Sequence, residues 1–461
     1  MEGIFTVKKA ASAMNGEVLN CGDYGDSVIK SVSTDTRTID GGALFFALHG
    51  ENSDGHRFIK AAAEAGAVCC VADDLSEVPQ GTAVIKVENT NRALLDLAGA
   101  YRREMKIPVV AVTGSVGKTS TRGMIASVLS QKYKTLATEG NFNNEIGVPH
   151  TLFRMNKNHE IAVIEMGMNH FGELSRITAA VRPETAVITN VGEAHIENLG
   201  SREGILKAKL EILEGLPHDG TVILCGDNDM LWSVSGKLDF ETIYFGMNNP
   251  KCDLIAQNIK AYADGSEFTF KYEESEYKVN ISIPGVHHIY NALAAIIVGV
   301  KYNVPIKDII TGIREFTPDG MRQKAVKMGE YTVIMDCYNA NPTSMRSGLE
   351  VLSLSNGGRK VACLGDMMEL GTISAEAHRG VGEAVNEYGI DVLITVGERA
   401  KLIAEGAKKA GMSDGAVYSF DTIEQLSEKL YDILKPNDVM LLKASRSMKL
   451  ERIAEFMENN K

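Results

Sequence analysis

The chain has 461 residues, a net charge of −12, 44% apolar residues and 23% charged residues. At roughly 150 residues per domain this length predicts about three domains, and the acidic balance argues against a nucleic-acid coat or an anionic membrane surface as partner. Glycine is plentiful at 44 and proline sparse at 11, which suits α/β loops, and the seven cysteines include no C-x-x-C pair, so a reduced cytoplasmic protein is expected.

The opening M-E-G-I-F-T-V-K-K-A lacks the long apolar core of a signal peptide. Up to residue 104 the predicted elements are short. They include an apolar run at 43–48, an Ala-rich helix at 58–65, a strand at 84–87 and a helix at 94–102. From Ile107 onward, buried strands at 108–112, 161–164, 185–191 and 222–224 alternate with helical patterns. That is the expectation for βαβ units and a parallel sheet. Over 268–283 apolar residues alternate (Phe268, Phe270, Tyr272; Val279, Ile281, Ile283) after a turn-like Asp264-Gly265, which predicts a small antiparallel appendage. The most apolar helical stretch, 292–300, is far short of the roughly 20 residues that span a bilayer. Beyond Pro318-Asp319-Gly320, strands at 332–335, 361–364, 392–396 and 439–442 alternate with helices, as in a doubly wound fold. The expected architecture is α/β with three domains: a small α/β domain at 1–104, a central P-loop ATPase-type domain at 105–317, and a Rossmann-like domain at 318–461.

Residues 113–119 read T-G-S-V-G-K-T, between a buried strand and an amphipathic helix (Met124, Ile125, Val128, Leu129). Glycines there let backbone N–H groups converge on phosphate oxygens, and the helix N-terminus favours anionic charge. In such a loop Lys118 pairs with the β/γ-phosphates and the Thr119 hydroxyl ligates Mg²⁺. The common pattern has Gly where Val112 stands, so a plain Gly-rich turn is the competing reading. The strand–loop–helix context favours phosphate. The strand 161–164 runs into Glu165, where P-loop enzymes place a metal-binding acid. The next strand leads into N-V-G-E-A-H, which puts His195 at the end of the sheet where ligands gather. Lys207 and Lys209 lie on the helix 203–213, and spacing alone reads either as a solvated face. No Ser or Cys stands in a nucleophile-elbow or triad pattern. Catalysis is therefore expected to work by positioning and electrostatics.

Further strings point in one direction. They are S-T-D-T-R (33–37), D-G-H-R-F (54–58), G-N-F-N-N-E-I-G-V-P (140–149), I-E-M-G-M (164–168), N-V-G-E-A-H-I-E (190–197), D-C-Y-N-A-N-P (336–342), L-G-D-M-M-E-L-G (364–371) and K-A-S-R-S-M (443–448). With these, essentially the whole chain resembles the Mur ligases. The resemblance implies that the first domain holds a UDP-linked substrate through Ser33, Thr34, Asp35 and Arg37. It implies ATP binding by Thr113, Gly114, Ser115, Val116, Gly117, Lys118, Thr119, Asn144 and Asn291, with Arg322, Asp336, Tyr338 and Asn339 reaching over from the last domain. Lys443, Ser445 and Arg446 are likewise singled out only through the resemblance. Two Mg²⁺ ions are implied, one on Thr119 and Glu165, the other on His195 and a carbamylated lysine. That lysine is Lys209, in A-K-L-E-I (208–212), with Lys207 as the alternative. Lys118, His195 and Lys209 are the implied catalytic residues. The family's G-x-H-N-x-x-N pattern reads Gly285-Val286-His287-His288-Ile289-Tyr290-Asn291 here, with His288 in place of the middle Asn.

The implied reaction is ATP-driven amide formation in bacterial peptidoglycan precursor synthesis. A carboxylate of UDP-MurNAc-tripeptide takes the γ-phosphoryl group, and the amine of D-Ala-D-Ala displaces phosphate from the acyl phosphate. A cytoplasmic monomer without a membrane span or nucleic-acid partner is expected. The competing readings are another amino-acid-adding ligase of the superfamily, such as a folylpolyglutamate synthase or a different Mur ligase, and a nucleotide-binding regulator that ligates nothing.

Overall fold

A computed structural model describes residues 3–20, 22–50, 53–318 and 323–460. The chain divides into two compact units, one built from residues 1–113, 133–187 and 210–222, the other from 114–132, 188–209 and 223–461. The first begins with five short strands: β1 Glu17–Leu19, β2 Ser31–Ser33, β3 Ala43–Phe46, β4 Cys69–Ala72 and β5 Val84–Lys86. Their order is β1-β5-β4-β3-β2, with β1 antiparallel to β5 and the other pairs parallel. Every residue of β3 and β4 is buried. The expected run 43–48 thus ends its strand at Phe46, and β4 was not foreseen. The helix Thr90–Glu104 starts earlier than expected, because the Asn89 side chain accepts the Arg92 N–H and caps it.

The strands that follow are β6 Val109–Thr113, β7 Thr135–Ala137, β8 Ile161–Glu165, β9 Thr185–Ile188, β10 Thr221–Cys225, β11 Glu241–Gly246 and β12 Leu254–Ile255, in sheet order β12-β11-β10-β9-β6-β8-β7. The pairs β6–β8, β7–β8 and β11–β12 are parallel. All five residues of β6, β8 and β10 are buried, which is why each reads as an unbroken apolar run. β9 stops at Ile188, short of the expected 191, since Thr189 and Asn190 turn their side chains onto the loop 115–116. The antiparallel appendage has three strands, β13 Gln257–Tyr262, β14 Gly265–Tyr272 and β15 Ser275–Ile281. Phe268, Phe270, Val279 and Ile281 form its buried face, as the alternation predicts.

The last sheet runs β16 Lys324–Met328, β17 Tyr331–Met335, β18 Lys360–Gly365, β19 Val392–Val396, β20 Val417–Phe420 and β21 Val439–Lys443, in order β16-β17-β21-β18-β19-β20. Only β16, in a hairpin with β17, is antiparallel. Alternate residues feed two apolar clusters. Val361, Cys363 and Leu442 enter one, while Ala362, Leu364 and Leu441 enter the other. This is the doubly wound layer expected from the sequence. Among the described residues no helix is long and apolar enough to cross a membrane. The described cysteines are free thiols and buried.

The helices Ser374–Glu387 and Lys401–Lys409 pack unusually close, because glycine stands at the contact. A Cβ on Gly382 would lie 2.0 Å from the Ile403 carbonyl oxygen, and one on Gly406 2.1 Å from that of Arg379. Since backbone must give way, Gly382→Ala is expected to lower the stability of this layer by about 1–3 kcal/mol in urea unfolding. An unchanged midpoint would contradict the packing.

Candidate functional site

The chain leaves β6 at Thr113 and enters the helix Lys118–Ser130 through the loop Gly114–Gly117. Thr113 is fully buried, and its Oγ1 has no hydrogen-bond partner among the described residues. Gly117 caps the helix in a left-handed conformation (φ 79°) with no side-chain cap, so the first turn presents backbone amides. At Gly114 a Cβ would stand 1.9 Å from Thr189 Oγ1, so only glycine fits.

The loop is clamped from one side. Asn190 Oδ1 accepts the N–H groups of Ser115 (3.1 Å) and Val116 (2.9 Å), and Asn190 Nδ2 donates to the Val116 carbonyl (3.2 Å). Thr189 Oγ1 donates to the same carbonyl at 2.6 Å. Ser115 Oγ accepts the Gly192 N–H at 2.9 Å. Lys118 Nζ donates to the Gly114 carbonyl at 2.8 Å, which folds the ammonium back over the loop. Backbone amides, a lysine and a hydroxyl at a helix start form a cradle whose donor set fits phosphate.

Burial separates the two candidate lysines on the helix Arg202–Leu210. Lys207 is exposed, whereas Lys209 is only 2% exposed. Burial pushes the Lys209 ammonium well below its usual range, and the nearby charge of Lys118 adds to the shift. His195 takes a left-handed conformation (φ 63°) at the start of the short helix Ile196–Leu199. Its Nδ1 lies 2.6 Å from Glu369 Oε2, and Thr343 Oγ1 donates to Glu193 Oε2 at 3.3 Å. Residues of the last α/β layer thus stand against the segment 193–197.

Asn291 is buried in the helix His287–Lys301. Its Oδ1 accepts from Thr121 Oγ1 at 2.8 Å, and its Nδ2 lies 3.1 Å from His288 Nδ1. An amide nitrogen only donates, so His288 Nδ1 accepts and Nε2 carries the proton toward Gln323 Oε1 at 3.3 Å. Burial holds His288 well below the usual imidazole range, consistent with a neutral ring. The departure from the family pattern is therefore a working link from Asn291 to Gln323.

In the last layer, Lys443 Nζ and Asp336 Oδ2 form a buried ion pair at 2.6 Å, and Lys443 also donates to the Asn339 carbonyl. Tyr338 is partly buried, and Asn339 Oδ1 accepts the Ala340 N–H. Ser445 Oγ accepts the Met368 N–H, and Arg446 pairs with Glu451. Arg322 lies outside the described residues.

In the first unit, Glu165 is fully buried at the end of β8, paired in register with Val112. Asn143 Nδ2 donates to Glu165 Oε1 at 2.8 Å, and Thr138 Oγ1 accepts the Glu165 N–H at 3.0 Å. Asn144 serves differently. Its Oδ1 accepts the N–H groups of Ile146 and Gly147 at the start of the helix Gly147–Phe153. Ser33 ends β2, and Thr34, Asp35 and Arg37 follow in the turn after it. Ser33 Oγ donates to the Asp35 carbonyl, and Thr34 Oγ1 lies 3.3 Å from His150 Nε2. Asp35 grips the exposed Arg37 guanidinium with both oxygens, at 2.6 Å for the shorter contact, which lowers its carboxyl to about 2. Asn143, Thr189 and Asn190 are the residues the sequence reading passed over. Their neighbours in N-F-N-N and T-N-V-G-E-A-H were the available signal.

Three family models match the chain: "Mur ligase family, catalytic domain" over residues 28–112, "Mur ligase middle domain" over 112–299, and "Mur ligase, glutamate ligase domain" over 321–446. The UDP-N-acetylmuramoyl-tripeptide--D-alanyl-D-alanine ligase of Bacillus subtilis is 39% identical over 453 residues, covering 98% of this chain and 97% of the relative. The ligase of the same name from Escherichia coli is 34% identical over 459 residues, covering 99% and 98%. A crystal structure of MurF from Acinetobacter baumannii superposes with a TM-score of 0.91 at 30% identity, covering 98% of this chain and 99% of that one. MurF ligase from Thermotoga maritima in complex with ADP gives 0.81 at 26% identity, covering 93% and 97%. With family models over most of its length and relatives above 30% identity along nearly all of it, the chain belongs to the Mur ligase family.

Proposed function

We propose that the chain is an ATP-dependent ligase that adds D-Ala-D-Ala to UDP-MurNAc-tripeptide and yields UDP-MurNAc-pentapeptide. The observation that carries this reading is the full-length likeness to the Bacillus subtilis ligase of that name. The clamped loop supports it, since it supplies the phosphate cradle such a reaction needs. On this reading the enzyme is a cytoplasmic monomer, with domain boundaries near 104 and 318. Ser33, Thr34, Asp35 and Arg37 hold the UDP end.

The reaction brings two anions together, the substrate carboxylate and the γ-phosphate. The backbone amides of the first helical turn and Lys118 hold the phosphates and offset that repulsion. Lys118 would exchange its bond to the Gly114 carbonyl for a phosphate oxygen. The hydroxyl of Thr119 and the carboxylate of Glu165 are oxygen donors suited to Mg²⁺, with Asn143 orienting Glu165. His195 and a modified Lys209 would hold a second ion. Bound Mg²⁺ supplies charge neutralisation at the transferring phosphoryl group. A neutral Lys209 amine can add CO₂ at its carbon, losing one proton and gaining a carboxylate. Asn291, Asp336, Tyr338, Asn339 and Arg322 complete the ATP side, with Asn144 bracing the segment that follows Asn143. Exclusion of water by the last domain would protect the acyl phosphate.

Phosphate release should require ATP, UDP-MurNAc-tripeptide and D-Ala-D-Ala together. Equal release with the dipeptide omitted would contradict a ligase and favour a nucleotide-hydrolysing regulator. Lys209→Ala should lose activity by about 100-fold or more and regain part of it with added short carboxylates, while Lys207→Ala stays within about twofold of the parent. Full activity in the Lys209 variant would refute the modification.

A further inference from the structure

The D-G-H-R-F string lies in the first unit and plays no part in the mechanism above. Asp54 caps the short helix Gly55–Phe58, and His49 bridges back to Asp54 across the backbone. His56 is 1% exposed. One ligand atom from each of His49, Asp54 and His56 lies within 4.8 Å of the others. We propose that these three residues form a divalent-cation site, with Zn²⁺ the best match, bound through His49 Nδ1, His56 Nδ1 and Asp54 Oδ1.

The argument rests on where the far ring nitrogens point. His56 Nδ1 is 2.6 Å and His49 Nδ1 3.7 Å from Asp54 Oδ1. On the other edge of both rings, a single oxygen, Asp73 Oδ1, lies 2.9 Å from His49 Nε2 and 3.0 Å from His56 Nε2. Metal-ligating histidines characteristically donate their second N–H to a carboxylate in this manner. Asp73 is itself fixed, because its other oxygen accepts the Thr90 N–H at 3.1 Å. Without a cation, His56 Nδ1–H donates to Asp54, and Nε2 accepts the N–H groups of Asp73 and Asp74 at 3.3 and 3.4 Å. That tautomer leaves the Nε2 lone pair facing Asp73 Oδ1. A cation on Nδ1 moves the ring proton to Nε2, which then donates to Asp73 Oδ1 at 3.0 Å, while the Asp73 and Asp74 N–H groups lose it as an acceptor. His49 and Asp54 are half exposed, so water has room as a fourth ligand. Two imidazoles, one carboxylate and water suit tetrahedral Zn²⁺ better than Mg²⁺ or Ca²⁺, which prefer all-oxygen shells. The site would fasten His49, Asp54 and His56 to the end of β4 and to the start of the helix Thr90–Glu104, where Asn91 already donates to the His49 carbonyl.

The test uses full-length protein stripped with a chelator and held in excess Mg²⁺ to occupy oxygen-rich sites. It is titrated with Zn²⁺ by calorimetry and with Co²⁺ by visible spectroscopy. The expected result is one Zn²⁺ per chain and the intense visible bands of four-coordinate Co²⁺, both lost in His49→Gln. That residue is half exposed, so the variant should fold, and an unchanged melting temperature without metal checks it. Asp73→Asn should keep the bands and weaken Zn²⁺ binding by about 10- to 100-fold. No Zn²⁺ binding in the parent, a weakly absorbing octahedral Co²⁺ spectrum, or identical titrations for parent and His49→Gln would each overturn the proposal.

Discussion

The grip of Thr189 and Asn190 on the glycine-rich loop is the constraint from which the site follows. Two consecutive side chains occupy the N–H groups of Ser115 and Val116 and the Val116 carbonyl. The loop is thereby held before any phosphate arrives. Ordering a flexible loop on binding would cost conformational entropy at each residue, and this chain meets that cost during folding. The same clamp dictates sequence on both sides. Gly114 has no room for a Cβ because Thr189 is there, and β9 must end at Ile188 so that the two side chains can turn.

A protein of net charge −12 must still receive anions. Its answer is local, and it depends on how two buried lysines are treated. Lys443 is buried beside Asp336 and forms an ion pair, which fixes the strand end in the last layer. Lys209 is buried with the charge of Lys118 nearby, and its ammonium is disfavoured. The first lysine is structural glue, and removing only one partner would strand a buried charge. The second is an amine whose charged form burial disfavours, a trait often found at functional sites.

In the two larger sheets β6, β8, β9, β10, β17, β18, β19 and β21 were legible in the sequence because buried strands read as continuous apolar runs, whereas β11, β12, β16 and β20 were not foreseen. The hairpin Phe268 to Ile281 was legible from its alternation. The edges were not. β1, β2 and β7 are three residues long and partly exposed, so they carry little apolar signal. β4 reads C-C-V-A, a string whose strand character comes from burial between β3 and β5. The strand–loop–helix turn at 113–119 was legible because its pattern is local. Asn143 and Asn190 were missed because each acts through a tertiary contact that spacing cannot display. The choice between Lys207 and Lys209 was closer to hand. Lys209 falls on the helical stripe of Ile205, Ala208 and Ile212, all buried, and Lys207 does not.

The central claim is that a substrate carboxylate, and not water, takes the phosphoryl group at this loop. Isotope transfer tests it most directly. UDP-MurNAc-tripeptide labelled with ¹⁸O in its reacting carboxylate is turned over with ATP and D-Ala-D-Ala, and the released phosphate is analysed by ³¹P NMR. The account predicts one ¹⁸O in each phosphate and one retained in the new amide, because the acyl–oxygen bond breaks when the amine attacks. Unlabelled phosphate, with its new oxygen drawn from water, would contradict the account.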